Sequence, residues 1–253
     1  GCSGRCAASM IVSNAAVADQ RNEFKAQIDR LVSDGMEQEE ALYKVLKETI
    51  IASQNIRFEG DGYSDEWKDE AARRGLTNIC HVPEAIMKFN DPQSRSVLIG
   101  EKIFNENELN CRIEVELEKF TKKVQIESRV LGDLAINHIV PTAVIYQNRL
   151  LENLRGLKEI FSTEEYEEMT ADRKDLVREI QRRILSIKKA VHDMTEARKV
   201  ANHLGSQVEK AFSYEEKVRP YLEEIREHID SLELEIDDEI WPLPKYRELL
   251  FTK

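Results

Sequence analysis

The feature that most constrains the fold is a pair of apolar stripes with helical spacing in the second half of the chain. Over residues 176–194 and again over residues 218–236, apolar side chains follow one another at steps of three and four. This spacing places them along one face of a helix, while Arg, Lys and Glu fill the other faces. The sequence therefore predicts a protruding helical hairpin over residues 164–236. The members of the two stripes are Leu176, Ile180, Ile184, Ile187, Val191, Met194, Val218, Leu222, Ile225, Ile229, Leu232 and Ile236.

The composition of the chain favours long helices over a turn-rich β fold. Its 253 residues include only 10 Gly and 6 Pro, and 41% of them are apolar, which is enough to build a core. We therefore predict a mainly α fold of long antiparallel helices. The net charge of −11 is spread along the chain, so neither nucleic acid nor an anionic membrane surface is an expected partner.

The stretch from Val124 to Phe161 combines an apolar stripe with many polar residues. The stripe includes Val144 and Leu151, and the polar residues amid it indicate a helix that is buried on several sides. Pro141 removes one backbone donor, so it is expected to kink the helix or to divide it in two. We interpret two pairs of charged residues in this stretch as ion pairs rather than catalytic groups: Arg129 with Asp133, and Arg149 with Glu152.

Several short patterns predict where helices start and where loops lie. Capping boxes are predicted at residues 34–37, 105–108, 162–165 and 213–216, where a short polar residue precedes Glu by three positions. The helix after the first box is expected to turn four aliphatic residues inward: Leu42, Val45, Leu46 and Ile50. Residues 90–100 are predicted to form an exposed loop.

The four cysteines and the beginning of the chain bear on its context. Cys2, Cys6, Cys80 and Cys111 form no C-x-x-C pair, and we interpret them as reduced thiols of a cytoplasmic protein. No apolar run approaches the ~20 residues of a membrane span. The chain opens on Gly1 rather than Met and passes directly into a helical pattern, so we expect a fragment whose upstream part is missing.

The residues suggest little catalytic chemistry. No H-E-x-x-H pair or other metal motif is present, and no nucleophile arrangement can be argued from spacing. Glu127 and His138 lie eleven positions apart, so they share a helix face and could form a metal or acid–base pair. The ordinary use of such residues is a buried His hydrogen-bonded to a carboxylate. We assign no catalytic, cofactor-binding or metal-binding residue.

Several long segments resemble the C-terminal part of type III glutamine synthetase, the large bacterial form. They are RFEGDGYSDEW at residues 57–67, QIESRVLGDLAINH at residues 125–138, GLKEIF at residues 156–161 and WPLPKYRELLF at residues 241–251. The first ten residues, GCSGRCAASM, resemble the Gly/Ser loop and helix that follow the last catalytic strand of that family. The resemblance covers essentially the whole chain.

The resemblance implies a parent enzyme that ligates ammonia to glutamate at the expense of ATP, with magnesium ions. In that family the metal-binding and phosphate-binding residues lie on barrel strands that would precede Gly1, so no catalytic position is carried over. Residues 1–104 would continue the catalytic domain, and residues 105–253 would form the long-helix C-terminal region. The chain would then give structural support and homo-oligomer contacts in stacked rings, a dodecamer, and would be inactive alone.

Two alternatives come from the residues themselves. The chain could be a stand-alone helical adaptor that binds partner proteins through the hairpin at residues 164–236, in which case a start codon would lie just before Gly1. It could also be a metal-dependent enzyme that uses Glu127 and His138, and metal analysis of the purified protein would test this.

Overall fold

The structure of the protein is a computed structural model that describes residues 6–250. Within that range it contains helices and loops and no β-strand, so the predicted mainly α fold is confirmed. Two compact units are present, residues 1–116 and residues 117–253. The helices are α1 Cys6–Ser33, α2 Gln38–Ala52, α3 Asp65–Arg73, α4 Val82–Met87, α5 Pro92–Gly100, α6 Glu106–Leu134, α7 Val140–Ile160, α8 Thr163–Asn202, α9 Gln207–Ser213, α10 Arg219–Glu235 and α11 Tyr246–Leu249.

The second unit is organised around a helical hairpin. Helix α8 is the longest in the described part of the chain, and it packs against α10 on one side and α7 on another. Both predicted stripes lie in this contact, because most of their members are buried, with Ile180, Ile187, Ile225 and Leu232 at 0% exposure. The predicted pairing of the two long helices is therefore confirmed, and burial of the aliphatic seam supplies its stability.

Two π-turns interrupt the long helices, and each comes just before a proline. The turn at residues 135–139 precedes Pro141, and the turn at residues 214–218 precedes Pro220. A proline ring clashes with the carbonyl group four residues earlier in a regular α-helix, and in both cases that carbonyl lies within the wider π-turn. The expected irregularity at Pro141 is thus a π-turn, and the backbone remains helical on both sides of it.

The first π-turn also changes which face of the helix is buried. One extra residue in a turn rotates all later positions by about 100°. Ala143 and Leu154 are buried after the turn, whereas Val144 and Leu151 are 39% and 37% exposed. The predicted inward stripe was therefore wrong at Val144 and Leu151, because the buried face after the π-turn runs through Ala143 and Leu154 instead.

Two of the four predicted capping boxes are present. Asn105 and Glu108 exchange backbone-to-side-chain hydrogen bonds of 2.8 and 2.9 Å at the start of α6, and Ser162 and Glu165 form the same arrangement at the start of α8. The box predicted at residues 34–37 was wrong, because Gly35, with φ of +94°, ends α1 instead. The box at residues 213–216 was wrong as well, because those residues continue α9 into the π-turn.

The loop predicted at residues 90–100 was also wrong. Pro92 occupies the first turn of α5, where its missing N–H costs nothing, and the helix continues to Gly100. Leu98 is buried at 3% exposure and anchors this helix in the first unit. The loop was predicted from the polar residues 90–96, and the prediction gave too little weight to the apolar residues 97–99 that follow them.

Removing the Ser162 side chain is expected to weaken α8 measurably. Ser162 Oγ donates to the Glu165 carboxylate at 2.7 Å, and these hydrogen bonds lower the pKa of Glu165 below its ordinary value of 4.5. We expect Ser162→Ala to reduce the free energy of unfolding by about 1 kcal/mol at neutral pH, measured by urea denaturation. Ser206→Ala is the matched control, since the Ser206 side chain makes no capping hydrogen bond at the start of α9.

The same pair predicts how this difference depends on pH. A depressed folded-state pKa contributes stability that is present above the ordinary value of 4.5 and is lost as the pH falls through the folded pKa. The difference in the free energy of unfolding between the wild type and Ser162→Ala should therefore become smaller as the pH falls. A gap that stays constant well below pH 4.5 would contradict a role for the Glu165 carboxylate.

Candidate functional site

The first unit presents an apolar helix face that no described element of this unit covers fully. Helix α2 buries Ala41 and Val45, and α1 packs against it. The predicted inward set was wrong for the remaining members, because Leu42, Leu46 and Ile50 are 44%, 39% and 55% exposed. These side chains and Tyr43 fall within one arc of about 100° beside the buried face. We call this surface, formed by Leu42, Tyr43, Leu46 and Ile50, the α2 face.

Residues 53–76 form a compact clasp next to the end of α2. The ring of Phe58 stacks on that of Trp67, with centroids 4.0 Å apart and an angle of 23° between the planes. Ser64 caps α3, because its Oγ accepts a hydrogen bond from Trp67 N at 3.2 Å. This cap fixes the position of Trp67 under Phe58.

Arg74 ties the clasp together. Its Nη1 donates to the carbonyl oxygen of Arg57 at 2.8 Å and lies 3.4 Å from that of Asn55. The guanidinium also stands 5.5 Å from the centroid of the Trp67 ring, and its Nε donates to Glu70. Hydrogen bonds from Arg74, and then from Arg73, lower the pKa of Glu70.

An open cleft of about 490 Å³ lies beside this clasp. It is lined by Gln54, Asn55, Arg57, Glu70, Arg73 and Arg74. Two of its three guanidinium groups are already paired with Glu70, and Arg74 also holds the backbone. The polar side chains here accordingly serve mainly to hold residues 55–57 against α3.

A second polar cluster lies in the second unit, at the end of α8. The Tyr214 hydroxyl donates to Asn202 Oδ1 at 2.8 Å, and Gln125 Nε2 donates to the same oxygen at 3.2 Å. Tyr214 is fully buried, and its burial raises the pKa of the phenol. Sequence reasoning missed this cluster, because its three members come from three helices and Tyr214 lies in a π-turn.

The residues singled out from the sequence in the central stretch lie apart from the partners considered for them. Glu127 pairs with Lys123 at 3.7 Å, and a rise of 1.5 Å per residue places His138 about 16 Å further along the helix axis. Two predicted ion pairs were wrong as well. Asp133 accepts a hydrogen bond from Asn137 at 2.6 Å rather than pairing with Arg129. Arg149 pairs with Asp237 at 3.2 Å rather than with Glu152.

The remaining observations concern the cysteines and the length of the apolar segments. Cys80 and Cys111 are free and exposed, whereas the side chains of Cys2 and Cys6 lie outside the described residues. The opening loop at residues 1–5, predicted to resemble a Gly/Ser loop, also lies outside them. Among residues 6–250, no helix has the length and apolar character needed to cross a membrane.

Comparison with known families identifies the central part of the chain. Residues 41–158, which include the α2 face, the clasp and the first π-turn, match the family described as the glutamine synthetase C-terminal domain. The chain carries a glutamine synthetase C-terminal domain. The predicted resemblance to the C-terminal part of this family is therefore confirmed.

Individual glutamine synthetases are similar to the chain over most or all of its length. A glutamine synthetase of Bacteroides fragilis is 72% identical over 253 residues, which is 100% of this chain and 35% of that protein. A type-3 glutamine synthetase of Dictyostelium discoideum is 27% identical over 96% of the chain. A glutamine synthetase of Butyrivibrio fibrisolvens is 27% identical over 86% of it. The chain spans about a third of the length of these relatives.

The glutamine synthetase family implies the use of ATP and a metal ion, so the donor set of this chain can be tested against a metal such as magnesium. Residues 6–250 contain no group of three or more His, Cys, Asp or Glu side chains that could hold a metal ion. Magnesium requires several oxygen ligands in octahedral geometry. The described side chains do not fit that requirement, and we derive no reaction step through a metal or a nucleotide in this chain.

Proposed function

We propose that this chain is the C-terminal part of a glutamine synthetase, which ligates ammonia to glutamate with ATP in the cytoplasm. In this proposal residues 1–104 continue the catalytic domain, and residues 105–253 form the long-helix region with its hairpin. The metal ions, ATP and both substrates are held by parts of the enzyme outside this chain. The chain itself gives structural support and homo-oligomer contacts in stacked rings, a dodecamer, and is inactive alone.

The observation that carries this proposal is the α2 face. Four large apolar side chains lie side by side on one helix and remain between 39% and 67% exposed, although single exposed apolar residues are the usual pattern on a protein surface. Covering this face would contribute about 1 kcal/mol for each half-exposed aliphatic side chain. The relatives supply about two further thirds of an enzyme that could cover it.

The hairpin gives less support to the alternative of a stand-alone adaptor. Many charges on α8 pair within the helix itself, for example Lys189 with Asp193 at 2.9 Å and Lys199 with Glu196 at 2.7 Å. Pairs of this kind are solvated and weak, and they leave few charges free to select a partner. We therefore prefer the structural role within a synthetase.

A domain exchange tests the proposal. The 253 residues replace the matching third of the Bacteroides fragilis glutamine synthetase, and glutamine formation from glutamate, ammonia, ATP and magnesium is measured for the chimera and for the isolated chain. We expect an active chimera and an inactive isolated chain. Turnover by the isolated chain would contradict the proposed inactivity, and an inactive, misassembled chimera would contradict the proposed place in the enzyme.

Variants of the α2 face sharpen the same test. Leu46→Asp together with Ile50→Asp should reduce the activity of the chimera at least tenfold, because two carboxylates would be buried without partners. Lys44→Asp, which lies on the exposed opposite side of α2, is the control and should leave the activity within about twofold. Light scattering on each chimera reports whether lost activity accompanies loss of the oligomer. Full activity in the double variant would show that nothing covers this face.

A further inference from the structure

The register of two antiparallel helices in the second unit brings two arginines to the same level. Gln125 of α6 is hydrogen-bonded to Asn202 of α8 at 3.2 Å. Seven residues further along α6, a Cβ placed on Gly132 would lie 3.5 Å from Val191 and 3.6 Å from Met194. The two helices therefore run in opposite directions in a fixed register, and one turn beyond the Gln125–Asn202 pair this register places Arg129 across from Arg198.

Neither guanidinium has a carboxylate partner among residues 6–250. The acidic residues closest to them along each helix are engaged elsewhere. Glu127 pairs with Lys123, Asp133 accepts from Asn137, and Glu196 pairs with Lys199.

The surroundings of the pair are polar and partly shielded from water. Arg198 is half-buried and Arg129 is exposed, and the Tyr214 hydroxyl and the amide groups of Gln125 and Asn202 lie one helical turn away. Burial, and then the positive charge of Arg129, lower the pKa of Arg198. Two like charges held in this way repel each other, so the bare site carries an electrostatic cost.

We propose that Arg129 and Arg198 form a binding site for a single oxyanion group, a phosphate or a carboxylate. A planar guanidinium donates two parallel hydrogen bonds to such a group, and two opposed guanidiniums can bind it from both sides. The group relieves the repulsion between the two arginines. It is supplied either by a free small anion or by a carboxylate side chain of a second copy of this chain.

The test uses inorganic phosphate and the full chain. The melting temperature is measured in sodium phosphate and in sodium chloride of equal ionic strength, for the wild type, Arg129→Gln, Arg198→Gln and the control Arg178→Gln, whose side chain pairs with Asp175 on an exposed surface. Phosphate should raise the melting temperature of the wild type and the control by about 3 °C more than chloride does. It should give neither Gln variant this increase.

The stability of the variants without phosphate separates a binding site from a purely structural role. If the arginines repel each other, Arg198→Gln should melt at the same temperature as the wild type, or higher, in chloride. An arginine that merely stabilised the fold would give a lower value. Association of folded copies itself stabilises the fold, so the melting temperatures in chloride are compared with light scattering. A lower melting temperature in chloride without loss of self-association, or equal stabilisation of all four proteins by phosphate, would overturn the proposal.

Light scattering in chloride distinguishes the two sources of the oxyanion. Self-association of the wild type that is lost in both Gln variants, and that phosphate suppresses, identifies a carboxylate of a second copy. Stabilisation by phosphate without self-association identifies a free anion. Absence of both effects in the wild type would overturn the proposal. These readouts do not involve glutamine formation, so they are independent of the proposed function.

Discussion

Replacing Ile225 with Asp is expected to reduce the free energy of unfolding of the second unit by about 4 kcal/mol or more. Ile225 is 0% exposed and lies in the middle of the seam between α8 and α10. The substitution removes an aliphatic side chain from a packed core and places a carboxylate at a fully buried position of an aliphatic seam. Urea denaturation of the full chain, followed by circular dichroism, measures the change.

The matched control for this variant lies on the same helix. Leu234 is 86% exposed, so Leu234→Asp introduces the same charge into α10 without disturbing the seam. Its effect should stay within about 0.5 kcal/mol. If the two variants unfolded at the same urea concentration, the seam would not be the core of the hairpin.

Replacing Arg74 with Ala should destabilise the clasp by about 2 kcal/mol. The substitution removes charged hydrogen bonds to backbone carbonyl groups of residues 55 and 57 and the cation–π contact with Trp67. The chain has 2 tryptophans, so Trp241→Phe leaves Trp67 as a single fluorescent reporter in the clasp. Denaturation followed by its fluorescence measures the local loss.

The neighbouring arginine provides the control. Arg73 also pairs with Glu70, but its side chain is 77% exposed and makes no hydrogen bond to the backbone of residues 55–57. Arg73→Ala should therefore cost about 0.5 kcal/mol or less. Equal losses in the two variants would mean that pairing with Glu70, rather than the hydrogen bonds to the backbone, holds the clasp.

The seam and most helices could be predicted from the sequence, because they depend on local spacing alone. The residues of the two stripes alternate at three and four positions, and a hairpin is the simplest way to bury two such faces. The caps at Asn105 and Ser162 could also be predicted from the sequence, because the residues that form each cap lie within four positions of one another. The resemblance to glutamine synthetases depended on long segments rather than on periodicity.

The α2 face, the arginine pair and the π-turns could not be predicted in the same way. Periodicity shows that Leu46 and Ile50 share a helix face, but it does not show whether a neighbour covers them. Arg129 and Arg198 are brought together by the register of two helices that lie far apart in sequence. The stripe around Val144 was misplaced because a proline pattern indicates an irregular helix without indicating its kind.

The π-turns before Pro141 and Pro220 determine where these helices tolerate a change in length. Deleting one residue from residues 135–139 or 214–218 would convert the π-turn into a regular α-helical turn. The later residues of that helix would then rotate back by about 100° about its axis. Elsewhere in α6, α7 or α10, the same deletion would rotate the later residues of a regular helix, so that their apolar face no longer packs against the neighbouring helices. Single-residue gaps between related proteins are therefore expected to occur at these two turns, together with loss of the adjoining proline.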